Sequence, residues 1–149
     1  MAAPVREFVD SNVLVYAEDA SAGAKRDTAA RLLERLWETQ TGCVSVQVLQ
    51  EFFVTVTRKV PKPMAPELAE ERVRDLSRWT VFAPGPADVL AAIALSRQHQ
   101  LSLWDAMIVE SAAQSGCGIL WSEDLQHGRR IRGLQIQNPF AGNGAPSRA

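Results

Sequence analysis

Short apolar runs alternate with stretches of helical periodicity along this 149-residue chain, and that alternation limits the fold more than any other feature. The runs predict strands over 5–9, 43–44, 79–82, 118–121 and 134–137. Arg6 and Glu7 interrupt the first, and the alternating last one is expected at a sheet edge. Between them the spacing predicts helices over 12–18, 25–39, 46–58, 67–77, 87–99 and 102–115. In the second, Ala29, Leu32, Leu33, Leu36 and Trp37 recur at helical intervals, and Thr41-Gly42 is read as its stop. In the fifth, Val89, Leu90, Ile93 and Ala94 are expected to face inward.

Residues 43–60 admit two readings. Val44, Val46 and Val48 alternate with Ser45 and Gln47 as a strand would, whereas Leu49, Phe52, Phe53 and Val56 keep helical spacing. The reading taken is a strand at Cys43 and Val44, Ser45 as N-cap, and a helix to about Arg58, before Pro61, Pro63 and Pro66 break the chain. Strands alternating with helices argue an α/β fold: a central parallel sheet of about four or five strands, with helices on both faces. Ligands bind such sheets outside the carboxyl ends of the strands.

Composition narrows the class. The length fits one domain, read as 1–141, followed by a Gly-, Asn-, Pro- and Ser-rich stretch at 142–149 expected to fray. A chain 46% hydrophobic and 22% charged can build a core, and a net charge of −1 gives no overall basic field. A local basic patch remains compatible with that total. Cys43 and Cys117 each adjoin apolar runs and read as small buried hydrophobes, with no disulfide and no four-ligand zinc set expected. The first residues lack the basic-then-apolar order of a signal peptide, and no run is long enough to cross a membrane, so a cytoplasmic location is expected.

Four carboxylates stand out against this plain background. Asp10 ends the first apolar run, Asp124 follows Ile119-Leu120-Trp121, Asp105 opens a helix, and Glu51 lies on a polar helical stripe with Gln47, Thr55 and Arg58. Each has an ordinary explanation. Asp10 is a good N-cap, Ser102-x-x-Asp105 is a capping-box spacing, Glu51 suits a solvated face and Asp124 suits a turn. Jointly they say more, because two end strands at the ligand-binding edge and two sit in helices that can face it. Unit charges about 4 Å apart repel by about 4 kcal/mol at an effective dielectric near 20. Such a cluster needs protons or a cation, and oxygen-only ligands favour Mg²⁺ or Mn²⁺.

The same residues carry a resemblance. Phe-Val-Asp-Ser-Asn-Val-Leu-Val-Tyr-Ala at 8–17, Ser-Val-Gln-Val-Leu-Gln-Glu-Phe-Phe at 45–53, Leu-Ser-Leu-Trp-Asp-Ala-Met-Ile at 101–108 and Leu-Trp-Ser-Glu-Asp-Leu-Gln-His-Gly at 120–128 follow one another in order, with Asn-Pro-Phe at 138–140. The chain resembles PIN-domain proteins, specifically VapC-type toxin ribonucleases of toxin–antitoxin pairs. The resemblance implies a Mg²⁺- or Mn²⁺-dependent endoribonuclease site with acidic ligands at Asp10, Glu51, Asp105 and Asp124. It also implies a supporting hydroxyl at Ser122 and a supporting polar side chain at Asn12. It further implies an RNA substrate, a small cognate antitoxin and a homodimer.

Arg129, Arg130 and Arg132 follow the fourth acid closely and are candidates for phosphate contacts, with a solvated loop as the equal alternative. His99 and His127 read as surface histidines. Two rival functions stand beside the toxin. One is a housekeeping RNA-processing nuclease without an antitoxin. The other is a receiver-like signalling domain, which wants a second acid beside Asp10 and a late lysine; the chain has neither, since no lysine follows Lys62.

Overall fold

The computed structural model describes residues 4–142. Its strands are β1 (Glu7–Val9), β2 (Gly42–Ser45), β3 (Thr80–Phe82), β4 (Ile119–Trp121), β5 (Arg130–Ile131) and β6 (Leu134–Gln137). Its α-helices are α1 (Ser11–Glu18), α2 (Ala24–Thr39), α3 (Val46–Arg58), α4 (Pro66–Leu76), α5 (Pro86–His99) and α6 (Leu103–Gln114). The sheet runs in the order β3-β2-β1-β4-β6-β5. All neighbours are parallel except β5 with β6. The expected α/β architecture with a mostly parallel sheet flanked by helices is therefore present. All but Gly142 of the tail expected from that residue lies outside the described residues.

The order of the strands positions the site. From β1 the chain steps outward to β2 and β3, then returns across the sheet to place β4 on the other side of β1. Right-handed crossovers then put α1 to α4 on one face and α5 and α6 on the other. Between β1 and β4 the winding reverses, leaving a crevice at their carboxyl ends. Helix α6 carries the deepest packing: Ala106 through Ala112 are all buried, against β2, β3, β4, β6 and α5.

The ambiguous segment resolves as read. Ser45 ends β2 and caps α3, its hydroxyl accepting from the Val48 N–H at 3.3 Å. Other boundaries differ for physical reasons. Gly42 lies inside β2 and does not stop α2; Gln40, at φ 58°, makes the left-handed turn. Gly42 is needed for contact, since a Cβ there would stand 2.7 Å from the Trp79 ring. The last strand is not the edge. Arg132 and Gly133, both at positive φ, turn β5 back along β6, and the edge belongs to β5. Arg-Gly lacks the usual Asn-Gly hairpin signal; here an ion pair from Arg132 to buried Glu110, at 3.3 Å, holds the turn.

Helix α5 is turned differently from the expectation. Val89, Leu90, Ile93 and Ala94 face solvent, while Ala92 and Leu95 are buried. The helix is apolar almost all round, so periodicity selects no face. The small Ala92 side chain lets α6 approach closely. Of the two cysteines, Cys43 is buried and Cys117 only partly so; both are free thiols, and the Cys43 thiol donates to the Thr41 carbonyl at 3.9 Å.

Polar residues shorten β1 to three residues but do not disrupt it. Glu7 is buried, and its carboxylate takes both arms of the Arg35 guanidinium at 2.8 Å and the Trp121 indole N–H at 2.8 Å. Burial alone would raise its pKa, but the Arg35 and Trp121 bonds outweigh it and hold the carboxyl below its ordinary value. The pair ties α2 to the sheet. Arg35→Ala should destabilise the protein by about 1–3 kcal/mol, the cost of leaving a buried acceptor short of donors. Urea unfolding at pH 7 measures this, and an unchanged midpoint would contradict it.

Candidate active site

Four segments meet at the crevice between β1 and β4. Asp10 is the residue after β1 and the N-cap of α1, so the ordinary reading of this acid is correct as well. One carboxylate oxygen accepts from the Ser11 N–H at 2.7 Å and the other from the Ser122 hydroxyl at 2.8 Å. Ser122, the residue after β4, is fully buried, and its oxygen also accepts the Asp124 N–H at 3.1 Å. One hydroxyl therefore joins the ends of the two central strands and sets the turn that carries Asp124.

Asn12 spans the same gap from α1. Its amide donates to Asp124 at 3.1 Å and to Asp10 at 3.5 Å, and its carbonyl oxygen accepts the Glu123 N–H at 3.2 Å. Glu51, from α3, accepts the Ser11 hydroxyl at 3.1 Å and the Gln47 amide at 3.1 Å. Gln47 also donates to the Trp104 carbonyl at 3.3 Å, which links α3 to the first turn of α6. Asp105 stands in that turn, and its N–H donates to the capping hydroxyl of Ser102 at 3.1 Å.

Electrostatics shows that the four acids share one region. Burial raises the Asp10 carboxyl to about 7; bonds from Ser122 and Ser11 oppose the rise, and the charges of Glu51 and Asp124 add to it. Asp105 is also raised, by burial first, then by Asp124 and Glu51, against the Ser102 bond. Asp10 and Asp105 thus each feel the other two acids. Glu123, beside Asp124, is committed elsewhere: it accepts the Tyr16 hydroxyl at 2.8 Å and pairs with Lys25.

Among the described residues, no three Asp, Glu, His or Cys side chains are gathered as a ready-made metal site. The carboxylates of Asp10, Glu51 and Asp124 are instead bonded to Ser11, Asn12, Gln47 and Ser122. Their chemistry still suits a hard divalent cation: the donors are all oxygen, and beyond the larger effect of burial the charges of Glu51 and Asp124 push the Asp10 and Asp105 carboxyls up, a repulsion that a cation would relieve.

The three arginines have protein partners. Arg129 reaches the His99 ring at 3.2 Å, Arg130 bonds Gln135 at 3.2 Å, and Arg132 pairs with Glu110. Arg130 lies level with Ile119, the first residue of β4, whereas the acids follow the last. Sequence reasoning gave no role to Ser11 or Gln47. Gln47 was open to detection, since it precedes Glu51 by four residues on one helix face. Ser11 was not, because its partner lies 40 residues away.

The family model described as PIN domain matches residues 8–132. Solved structures with a similar fold include a toxin–antitoxin complex from Klebsiella pneumoniae, at 23% identity and TM-score 0.64, covering 89% of this chain and 97% of that one. Another is VapC20 of Mycobacterium tuberculosis, a sarcin–ricin loop cleaving toxin, at 19% identity and TM-score 0.61, covering 79% and 91%. A third is DNA-bound VapBC from Salmonella typhimurium, at 19% identity and TM-score 0.62, covering 91% and 99%. No curated protein matches the chain.

A raised folded-state pKa at Asp10 means that the native protein binds more protons than the unfolded chain. Its contribution to stability is full below the unfolded carboxyl pKa near 4 and is lost as pH rises through about 7. Asp10→Asn removes this dependence while keeping an acceptor for Ser11. The metal-free variant should match wild type near pH 4 and exceed it by about 2–4 kcal/mol at pH 8. Denaturant unfolding across that range decides, and parallel profiles for the two proteins would overturn the assignment.

Proposed function

The chain belongs to the PIN-domain family, and from that premise we propose that it is a Mg²⁺- or Mn²⁺-dependent endoribonuclease, the toxin of a toxin–antitoxin pair. The observation that supports the reading is the hydrogen-bonded network at the crevice where the winding of the sheet reverses, which links Asp10, Glu51 and Asp124 through Ser11, Asn12 and Ser122 and reaches the turn of Asp105 through Gln47. Solved structures of similar fold include a toxin–antitoxin complex and, separately, a toxin that cleaves the sarcin–ricin loop, which supports RNA as substrate.

Asp10 and Asp105 are the main candidates to hold the cation, with Glu51 and Asp124 completing the set. When bound, a divalent cation supplies Lewis-acid polarisation of a phosphate oxygen and makes hydroxide available near neutral pH. The chain's own residues supply the geometry. Ser122 and the Ser11 N–H fix the plane of the Asp10 carboxylate. Asn12 sets the separation of Asp10 from Asp124, and Gln47 sets that of Glu51 from the start of α6. Held in this way, the acids need little rearrangement when substrate arrives.

A groove of about 640 Å³ beside α1, α2 and α4 supports the antitoxin part of the reading. Leu14, Leu33, Trp37 and Leu76 line it, and Glu18 and Glu34 stand among them. An apolar floor with acids alongside suits an amphipathic helix that carries basic residues. The reading also includes a homodimer.

Purified protein should cleave RNA with Mg²⁺ or Mn²⁺ and not in excess chelator. Asp10→Asn and Asp105→Asn should each lower the rate by at least about 100-fold, as loss of a group stabilising transition-state charge does. Both variants should remain folded by circular dichroism. Undiminished cleavage in chelator, or by both variants, would refute the activity. Co-expression with a small antitoxin candidate from a neighbouring reading frame should yield a stable complex, and Leu33→Glu in the groove should abolish it. A complex indifferent to that change would place the partner elsewhere.

A further inference from the structure

We propose that the polar hollow beside the carboxyl half of β6 holds a backbone phosphate of the RNA strand, next to the phosphodiester that lies at the acids. The proposal rests on the nuclease reading above and gives its substrate a second point of attachment. The hollow measures about 340 Å³ and is lined by His127, Gln135, Gln137, Asn138, Ala141 and Gly142. That volume is at the small end of the range for ligand sites, about 300–1,000 Å³. The hollow lies beside the crevice. The Ser122 N–H donates to the Gln137 carbonyl at 2.9 Å, so the end of β6 adjoins the residue that links the two central strands. His127 follows Asp124 by three residues, which keeps their Cα atoms within about 11 Å of each other.

The hydrogen bonds around the hollow leave it rich in donors. His127, Asn138 and Gln135 each have an acceptor atom engaged by a group that can only donate. The Asn138 N–H donates to Nδ1 of His127 at 2.9 Å, so the neutral imidazole carries its proton on Nε2. The Phe140 N–H donates to Oδ1 of Asn138 at 2.9 Å, and the Arg130 guanidinium donates to Oε1 of Gln135 at 3.2 Å. Each amide oxygen keeps one lone pair. The larger remainder is the imidazole Nε2–H and the two amide NH2 groups, all donors. The orientation of each side chain is set by the protein before any ligand arrives.

A phosphodiester matches this lining, because its free oxygens only accept and carry negative charge. The charges nearby agree. No carboxylate lines the hollow, and Arg130 stands at its rim through the bond to Gln135. The groove beside α1, α2 and α4, by contrast, is lined by Glu18, Glu34, Glu38 and Asp75, which repel a phosphate. Phosphate contacts fix the register of a strand without reading its sequence. A strand held in the hollow runs along the carboxyl edge of the sheet and presents a neighbouring bond to the acids. Arg130 acts in this through Gln135, as a positioning residue.

Fluorescence anisotropy with a labelled single-stranded RNA of about 12 nucleotides tests the proposal. The full-length chain carrying Asp10→Asn is titrated in chelator, so that neither cleavage nor metal enters the readout. In that chain Gln137→Glu should raise the dissociation constant at least about 10-fold, and Gln137→Lys should lower it at least about 3-fold, by repelling or attracting the phosphate. Circular dichroism should be unchanged in both. Leu68→Glu, the same change of charge on the exposed surface of α4, should leave the affinity as it was. Inorganic phosphate should displace the RNA only above about 10 mM; displacement at lower concentrations would assign the hollow to the free anion and overturn its assignment to RNA. An affinity indifferent to both Gln137 substitutions, or no RNA binding at about 200 μM, would also overturn the proposal. If wild type still cleaves RNA in that event, the nuclease reading stands without the hollow. RNA held in the hollow of a chain that cleaves none with Mg²⁺ or Mn²⁺ would refute the activity and leave the binding site.

Discussion

The hydrogen bond from Ser122 to Asp10 is the contact on which the rest of the site depends. It spans 112 residues of sequence at 2.8 Å in a fully buried position. It joins the ends of the two strands between which the winding reverses. The same hydroxyl accepts the Asp124 N–H, and the same carboxylate caps α1, so the first and last acids are placed by one small network. A buried hydroxyl between a carboxylate and a backbone N–H has no water to replace either partner, which makes its geometry unusually well determined.

Burying a carboxylate at that point has two consequences. The first is a cost: without a cation, the fold holds Asp10 where it prefers its proton, and Asp105 leans the same way. The second is readiness, since a group desolvated and oriented beforehand binds a cation with little further ordering. The Glu7–Arg35 pair shows the contrast. Glu7 is just as buried, but a guanidinium fork satisfies it and keeps it charged. One buried acid is kept charged by a partner within the protein and serves structure, whereas the other is pushed by burial towards its protonated form.

Much of this was legible in the sequence, for reasons that can be named. Each strand and helix in the central alternation had its own periodicity or cap, and Ser45 marked where β2 ends and α3 begins. The four acids were visible because each sits at an element boundary or on a single polar stripe. Three features were not legible. The exposed side of α5 was hidden because a helix apolar all round has no preferred face. The β5–β6 hairpin was hidden because its turn is held by a distant buried Glu110 and not by the usual turn residues. The Ser11–Glu51 and Gln47–Trp104 bonds depend on how α1, α3 and α6 converge, which no local pattern encodes.

The most direct test of the account is a crystal of the protein soaked in millimolar Mn²⁺ and measured for anomalous scattering. A peak about 2.1 Å from an Asp10 carboxylate oxygen, with at least one further contact to Glu51, Asp105 or Asp124, is the result the account predicts. An empty crevice at that concentration, or manganese bound only at other surfaces, would contradict it.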